Sequence, residues 1–130
     1  MCLYLDRRST SETKKLKARK TPIRAYKVLG RKNGLVSPFK ETKWIPGKTK
    51  TSNRRNKKPQ KLSRKEIIYG WVDRGLHFYR TKNKALSHIS FYCWSFQKEI
   101  WIVEIQPEDI ITTGGGEIVA HKARLIKKIS

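Results

Sequence analysis

Acidic side chains are scarce in this 130-residue chain: 10 Asp+Glu stand against 31 Lys+Arg, a formal charge of +21. Cysteine is almost absent. Cys2 and Cys93 cannot build a disulfide framework, and a zinc site needs about four ligands at short paired spacings, which no stretch supplies. Two free thiols in a reducing compartment are the expectation, with a single bridge between them as the alternative. No segment approaches the roughly 18 to 20 apolar residues of a membrane span, and Met1 to Arg8 hold no apolar run of signal-peptide length. The lipid-surface reading also lacks its signs: the chain starts Met-Cys rather than Met-Gly, and Lys127 to Ser130 form no prenylation box. A soluble, unexported, cytoplasmic protein with no membrane partner is expected.

Hydrophobic residues make up 37% of the chain and aromatics 10%, enough for one real core, so collagen-like and fully disordered readings fail. A charge this far from neutrality repels itself unless something counters it, and the abundant polyanions of a cell are RNA and DNA. The charge is also uneven. Residues 1–66 hold 22 Lys+Arg and 4 Asp+Glu, while 67–130 hold 9 and 6. That asymmetry describes a nearly neutral body with basic appendages.

Two segments carry the excess. Residues 1–22 read as a flexible basic arm, with Lys14, Lys15, Lys17, Arg19 and Lys20 in its second half. Residues 48–65, KTKTSNRRNKKPQKLSRK, contain nine cations, no acid, and Leu62 as the single apolar side chain. Such a stretch is longer than most connections in a compact domain and has little to bury, so it is expected to stay mobile until a phosphate backbone orders it. A loop that only confers solubility would mix both signs of charge.

The rest, 23–130, reads as one α+β domain. Residues 24–29 alternate polar and apolar up to Gly30, and a turn leads into Leu35-Val36, predicting a hairpin. Residues 43–45 are a short extended piece. Residues 66–72 and 75–79 are β-branched and aromatic around Asp73-Arg74-Gly75, and at least the second is a strand. Thr81 is placed to cap a helix through Ala85, Leu86, Ile89 and Cys93, ending near Trp94. Residues 99–105 (EIWIVEI) predict a central strand buried on both faces, and Pro107-Glu108-Asp109 turns the chain. Residues 117–129 fit either period; their β-branched start favours strand. The expectation is a mostly antiparallel sheet with one principal helix, a basic arm and a basic loop insertion.

Local signatures of catalysis are missing. Gly114-Gly115-Gly116 matches neither GxGxxG nor GxxxxGK[ST] and reads as a turn between strands. His77, His88 and His121 form no metal or nucleophile-base pattern, and His77 in its apolar strand reads as a core histidine. Glu104, inside a buried strand, faces solvent or pairs with a cation, unless it is kept for catalysis. Trp44, Trp71, Tyr79, Tyr92 and Trp94 are packing residues first and base-stacking candidates second. No catalytic residue, metal or cofactor is assigned.

The succession AYKVL at 25–29, GLVSPF at 34–39, W-x-x-G at 44–47, GLHFYRTKNKAL at 75–86, WIVEI at 101–105 and GGGEIVAHKARLI at 114–126 resembles a family of small phage and bacterial proteins that begin Met-Cys-Leu-Tyr. The resemblance spans most of 22–128 and implies a compact α+β fold and a phage setting, without an agreed activity. The insertion at 48–65 departs from that pattern. A looser similarity, to the ADP-ribosyltransferase fold, implies an NAD-using enzyme in which Arg24 or Tyr26, Tyr79, and Glu104 or Glu117 would act.

The function expected is therefore nucleic-acid binding with little sequence specificity, RNA being favoured slightly over DNA because no major-groove recognition helix is evident. The expected contacts are Lys48, Lys50, Arg54, Arg55, Lys57, Lys58, Lys61, Arg64 and Lys65, helped by Lys14, Lys15, Lys17, Arg19 and Lys20. If about five insertion cations meet phosphates, log affinity falls with log salt at a slope near −4.5. The alternatives are a phage-encoded inhibitor or assembly protein bound to a host factor, ribonucleoprotein or virion component, and the transferase.

Overall fold

The computed structural model describes residues 3–4, 9–31, 34–37, 43–52, 62–64, 71–72, 75–89 and 97–129. In chain order the elements are β1 (Leu3–Tyr4), α1 (Ser9–Lys17), β2 (Ile23–Arg31), β3 (Leu35–Val36), β4 (Lys43–Trp44), β5 (Thr49–Thr51), β6 (Trp71–Val72) and β7 (Leu76–Tyr79). Then come α2 (Lys82–Ile89), β8 (Lys98–Ile105), a 3-10 turn at Pro107–Asp109, β9 (Ile110–Gly114), β10 (Glu117–Ala120) and β11 (Lys122–Lys128). This is an α+β fold. Its antiparallel sheet runs β5-β11-β8-β2-β7-β10-β9, with β3 on β2 and β4 on β3, and a separate ribbon pairs β1 with β6.

β2 and β8 form the spine, paired from Ile23↔Ile105 to Gly30↔Lys98. Their sequences suit that place. In β2 the odd positions Ile23, Ala25 and Leu29 join one core layer with Trp101, Val103 and Ile105, while even-numbered Val28 and Ile100 belong to a second layer on the opposite face. The first layer is roofed by Leu16 of α1 and by Trp44 and Leu35; the second by Ala85 and Ile89 of α2. Thr81 begins α2 as anticipated, its Oγ1 accepting from Lys84 N at 3.1 Å. The described helix ends at Ile89, and Cys93 and Trp94 lie outside the described residues. Leu86 points outward instead of joining the apolar face.

Glu117–Lys128 resolves as two strands, not a helix, broken at His121. The glycine run closes the β9–β10 hairpin, with positive φ at both Gly115 and Gly116, the backbone that a tight hairpin turn requires. Among the described residues no helix is long and apolar enough to cross a membrane.

Two expected appendages meet the fold. The segment read as an arm contains α1, whose Leu16 is 2% exposed and whose Thr13 Oγ1 accepts from Thr113 N on the outermost strand β9 at 3.1 Å. An edge amide thus finds a helix side chain. The basic insertion is tied at both ends: Thr49–Thr51 form the opposite edge strand on β11, and Leu62 packs against buried Ile111 and Val119.

Candidate nucleic-acid interface

The docking of α1 through Leu16 leaves Lys14, Lys15 and Lys17 exposed, and Arg19 and Lys20 continue that surface toward β2. Across the molecule, Lys48 is exposed beside β5, and Lys50 within it is half-buried, its Nζ donating to Lys43 O at 2.9 Å. Arg64 is exposed. Arg54, Arg55, Lys57, Lys58, Lys61 and Lys65 lie outside the described residues.

Sequence reasoning missed a third basic surface. α2 packs over the Val28/Ile100 end of its sheet face; four residues along β2, about 13 Å away at strand rise, the same face presents Arg24. Register aligns Arg24 with Glu104, Glu104 with Arg124, and Arg124 with Thr49. The neighbouring row is Tyr26, Ile102 and Lys127. Arg24, Arg124 and Lys127 are exposed, and Lys122, two residues before Arg124, is half-buried. The signal was present in K-A-R at 122–124, where alternation puts both cations on one face.

The acids show where these cations are not neutralised. Among the described residues Glu108 is the single acidic side chain that is exposed. Glu104 is ion-paired, its Oε1 accepting from Arg124 Nη2 at 3.1 Å. Glu99 is 2% exposed and holds Arg31 Nε at 2.8 Å, Lys128 Nζ at 3.7 Å and the Trp101 indole N–H at 3.1 Å. Burial pushes the Glu99 carboxyl up, but the hydrogen bonds from Arg31 and Trp101 and the charges of Arg31 and Lys128 outweigh it and hold the group below its ordinary range.

The aromatics mostly serve packing. Trp44 meets Phe78 edge to face at 6.0 Å, and Tyr79 is buried and stacked on His88 at 5.2 Å. The side chains of Trp71, Tyr92 and Trp94 lie outside the described residues. His77 is buried in β7, and His121 is buried with Nδ1 3.2 Å from Ser52 Oγ. Lys27 lies in the first layer, donating to His77 O at 2.8 Å with Phe78 and Trp44 at 5.4 and 6.0 Å; burial lowers it to about 8, against the pull of Glu117. The residues weighed for a transferase separate into two groups. Tyr26, Tyr79 and Glu117 share one cross-strand row, while Arg24 and Glu104 pair in the adjoining row along β2 and β8. Tyr79, covered by His88, offers no open face to a nicotinamide.

A cleft of about 260 Å³ opens beside the third basic surface, walled by Thr49, Glu104, Gln106, Asp109, Lys122 and Arg124. Among the described residues no group of three or more His, Cys, Asp or Glu converges on a metal position. Comparison with protein-family models, curated proteins and solved structures gives no match.

Proposed function

We propose that the protein binds nucleic acid, single-stranded RNA ahead of DNA, in the cytoplasm. It would clamp phosphates with the α1 cations, the segment 48–65 and the Arg24/Lys122/Arg124/Lys127 face, with little sequence preference. The observation carrying this reading is the division of charge: the described acids are buried, half-buried or ion-paired except Glu108, while Lys14, Lys15, Lys17, Arg19 and Lys20 near α1 and Arg24, Arg124 and Lys127 on the sheet are exposed, as are Lys48 and Arg64. Such a surface attracts a polyanion by releasing its counterions. A sheet face with half-buried Tyr26 beside cations suits an open strand better than a duplex groove, and α1 and α2 are both docked on the sheet rather than free to enter a groove.

The test is the salt dependence of oligonucleotide binding. Removing 48–65 outright would also remove β5 and Leu62, so the variant should instead carry Gln at Arg54, Arg55, Lys57, Lys58 and Lys61. If all five contact phosphates of a single strand, the log–log salt slope becomes shallower by about 3.5. Unchanged affinity and slope would make the segment a spacer. Failure to bind any oligonucleotide at low ionic strength, with nuclease-resistant capture of an acidic protein, would transfer the cations to a protein partner.

A further inference from the structure

The cleft beside β11 contains a group that the phosphate-binding reading leaves unused. Asp109 ends the 3-10 turn, half-buried, and among the described residues no donor bonds its carboxylate; its hydrogen bonds are made by the main chain, N donating to Gln106 O and O accepting from His121 N, while Lys122 acts on the carboxylate through charge alone. Burial raises its pKa, Lys122 opposes that rise, Glu108 adds to it, and His121 opposes it. A half-buried carboxylate with no protein donor, on the wall of a cleft, leaves both oxygens open to a ligand bearing N–H groups.

The same cleft carries the complementary charge. Lys122 and Arg124 stand on β11, and Glu104 fixes the Arg124 guanidinium through its Nη2. A volume near 260 Å³ lies just under the roughly 300 Å³ where clefts for drug-sized ligands begin, which suits one nucleotide and not a stacked pair. A nucleotide joins N–H donors to an anion. Of the four bases, guanine sets N1–H and the 2-amino group side by side, so both oxygens of one carboxylate can accept together. Adenine and cytosine offer one amino group beside an acceptor nitrogen, and uracil puts carbonyls on both sides of its N–H.

We propose that this cleft seats one unpaired guanosine of a bound RNA strand, Asp109 accepting from the base edge and Lys122 and Arg124 meeting the adjoining phosphate. The assignment rests on the nucleic-acid reading above and adds one position of base preference to it.

The test uses the full chain and a labelled oligouridine, with and without one central guanosine, followed by fluorescence anisotropy. Wild type should hold the guanosine strand about tenfold more tightly, the scale of a bidentate base contact. Asp109→Asn should erase the preference while holding oligouridine at least as tightly as wild type, because it also removes an anion near Lys122. It breaks no hydrogen bond and removes a charge that burial opposes, and its melting curve checks that it folds. Lys122→Gln should weaken both strands alike. Inosine, which lacks the 2-amino group, should lose most of the gain on wild-type protein, a readout independent of any variant. Equal binding of the two strands by wild type overturns the assignment while phosphate binding stands. So does a preference that survives Asp109→Asn, or an equal gain from adenosine or cytidine. Failure to bind either strand removes the nucleic-acid reading and the guanosine site with it.

Discussion

Glu99 is the most exacting test of how this cation-rich chain stays folded. Its carboxylate is 2% exposed and receives Arg31 and the Trp101 indole, with Lys128 close by. Replacing it with Gln keeps the volume and leaves an acceptor for Trp101, but removes the charge. Breaking a buried pair costs about 3–5 kcal/mol when the remaining partner is stranded. Here Arg31 and Lys128 are 50% and 45% exposed and can turn to water, so the loss should shrink to about 2 kcal/mol, the scale of a hydrogen bond to a charged group. For a domain of this size that lowers the melting temperature by about 3–5 °C per kcal/mol. The pH dependence gives the sign. A carboxyl held below its ordinary pKa by folding contributes stability above the unfolded value, and that contribution is lost as pH falls through the folded value. The gap between wild type and Glu99→Gln, from urea melts, should therefore be constant from neutral pH to about 5 and close in stronger acid. A gap below about 0.5 kcal/mol at neutral pH, the range of ordinary surface changes, would refute the reasoning. A gap that persists unchanged in acid would do the same.

Two further outcomes follow from the core. Gly75 has φ +80°, and a Cβ there would lie 2.8 Å from Val119 Cγ1 and 3.3 Å from Ala120 O; Gly75→Ala should cost about 2–4 kcal/mol through strain and overpacking together, and a melting curve unchanged from wild type would contradict that geometry. Burial lowers Lys27 to about 8, so between that value and its ordinary value of 10.5 the folded state binds fewer protons than the unfolded and this group adds stability as pH rises. The stability of Lys27→Met relative to wild type should therefore fall across that window, and urea melts showing a constant difference would place Lys27 in contact with water.

The sheet's spine was legible because β2 starts with period-two alternation, the mark of one buried face, and β8 carries a near-continuous apolar run, the mark of two. Thr81 was legible because a cap is a local arrangement. What escaped reading had almost no apolar content. α1 keeps its place with one buried leucine and a threonine pair, Thr13 with Thr113, so its sequence looks like a charged arm. β5 is Thr-Lys-Thr, an edge strand defined by main-chain pairing to β11 rather than by side chains it buries. Its lysine suits an edge, where a cation discourages pairing with another chain.

The candidate site escaped for a different reason. Its parts come from β8, the 3-10 turn, β11 and the flank of β5, and only strand register brings them to one place. Glu104 alone was singled out beforehand, and its ion pair with Arg124 satisfies the structural expectation for it. That pair also creates the site's geometry, because an arginine fixed by one neighbour offers its remaining N–H groups at low entropic cost. The same register explains why charge counting found the appendages first: a cation on an exposed strand position is diluted in sequence by the apolar residues between, as in Lys122-Ala123-Arg124, although on the folded surface nothing intervenes. On the proposed reading, base preference would come from the turn and strands that wall the cleft, while the basic segments would contribute affinity that any phosphate chain can draw on.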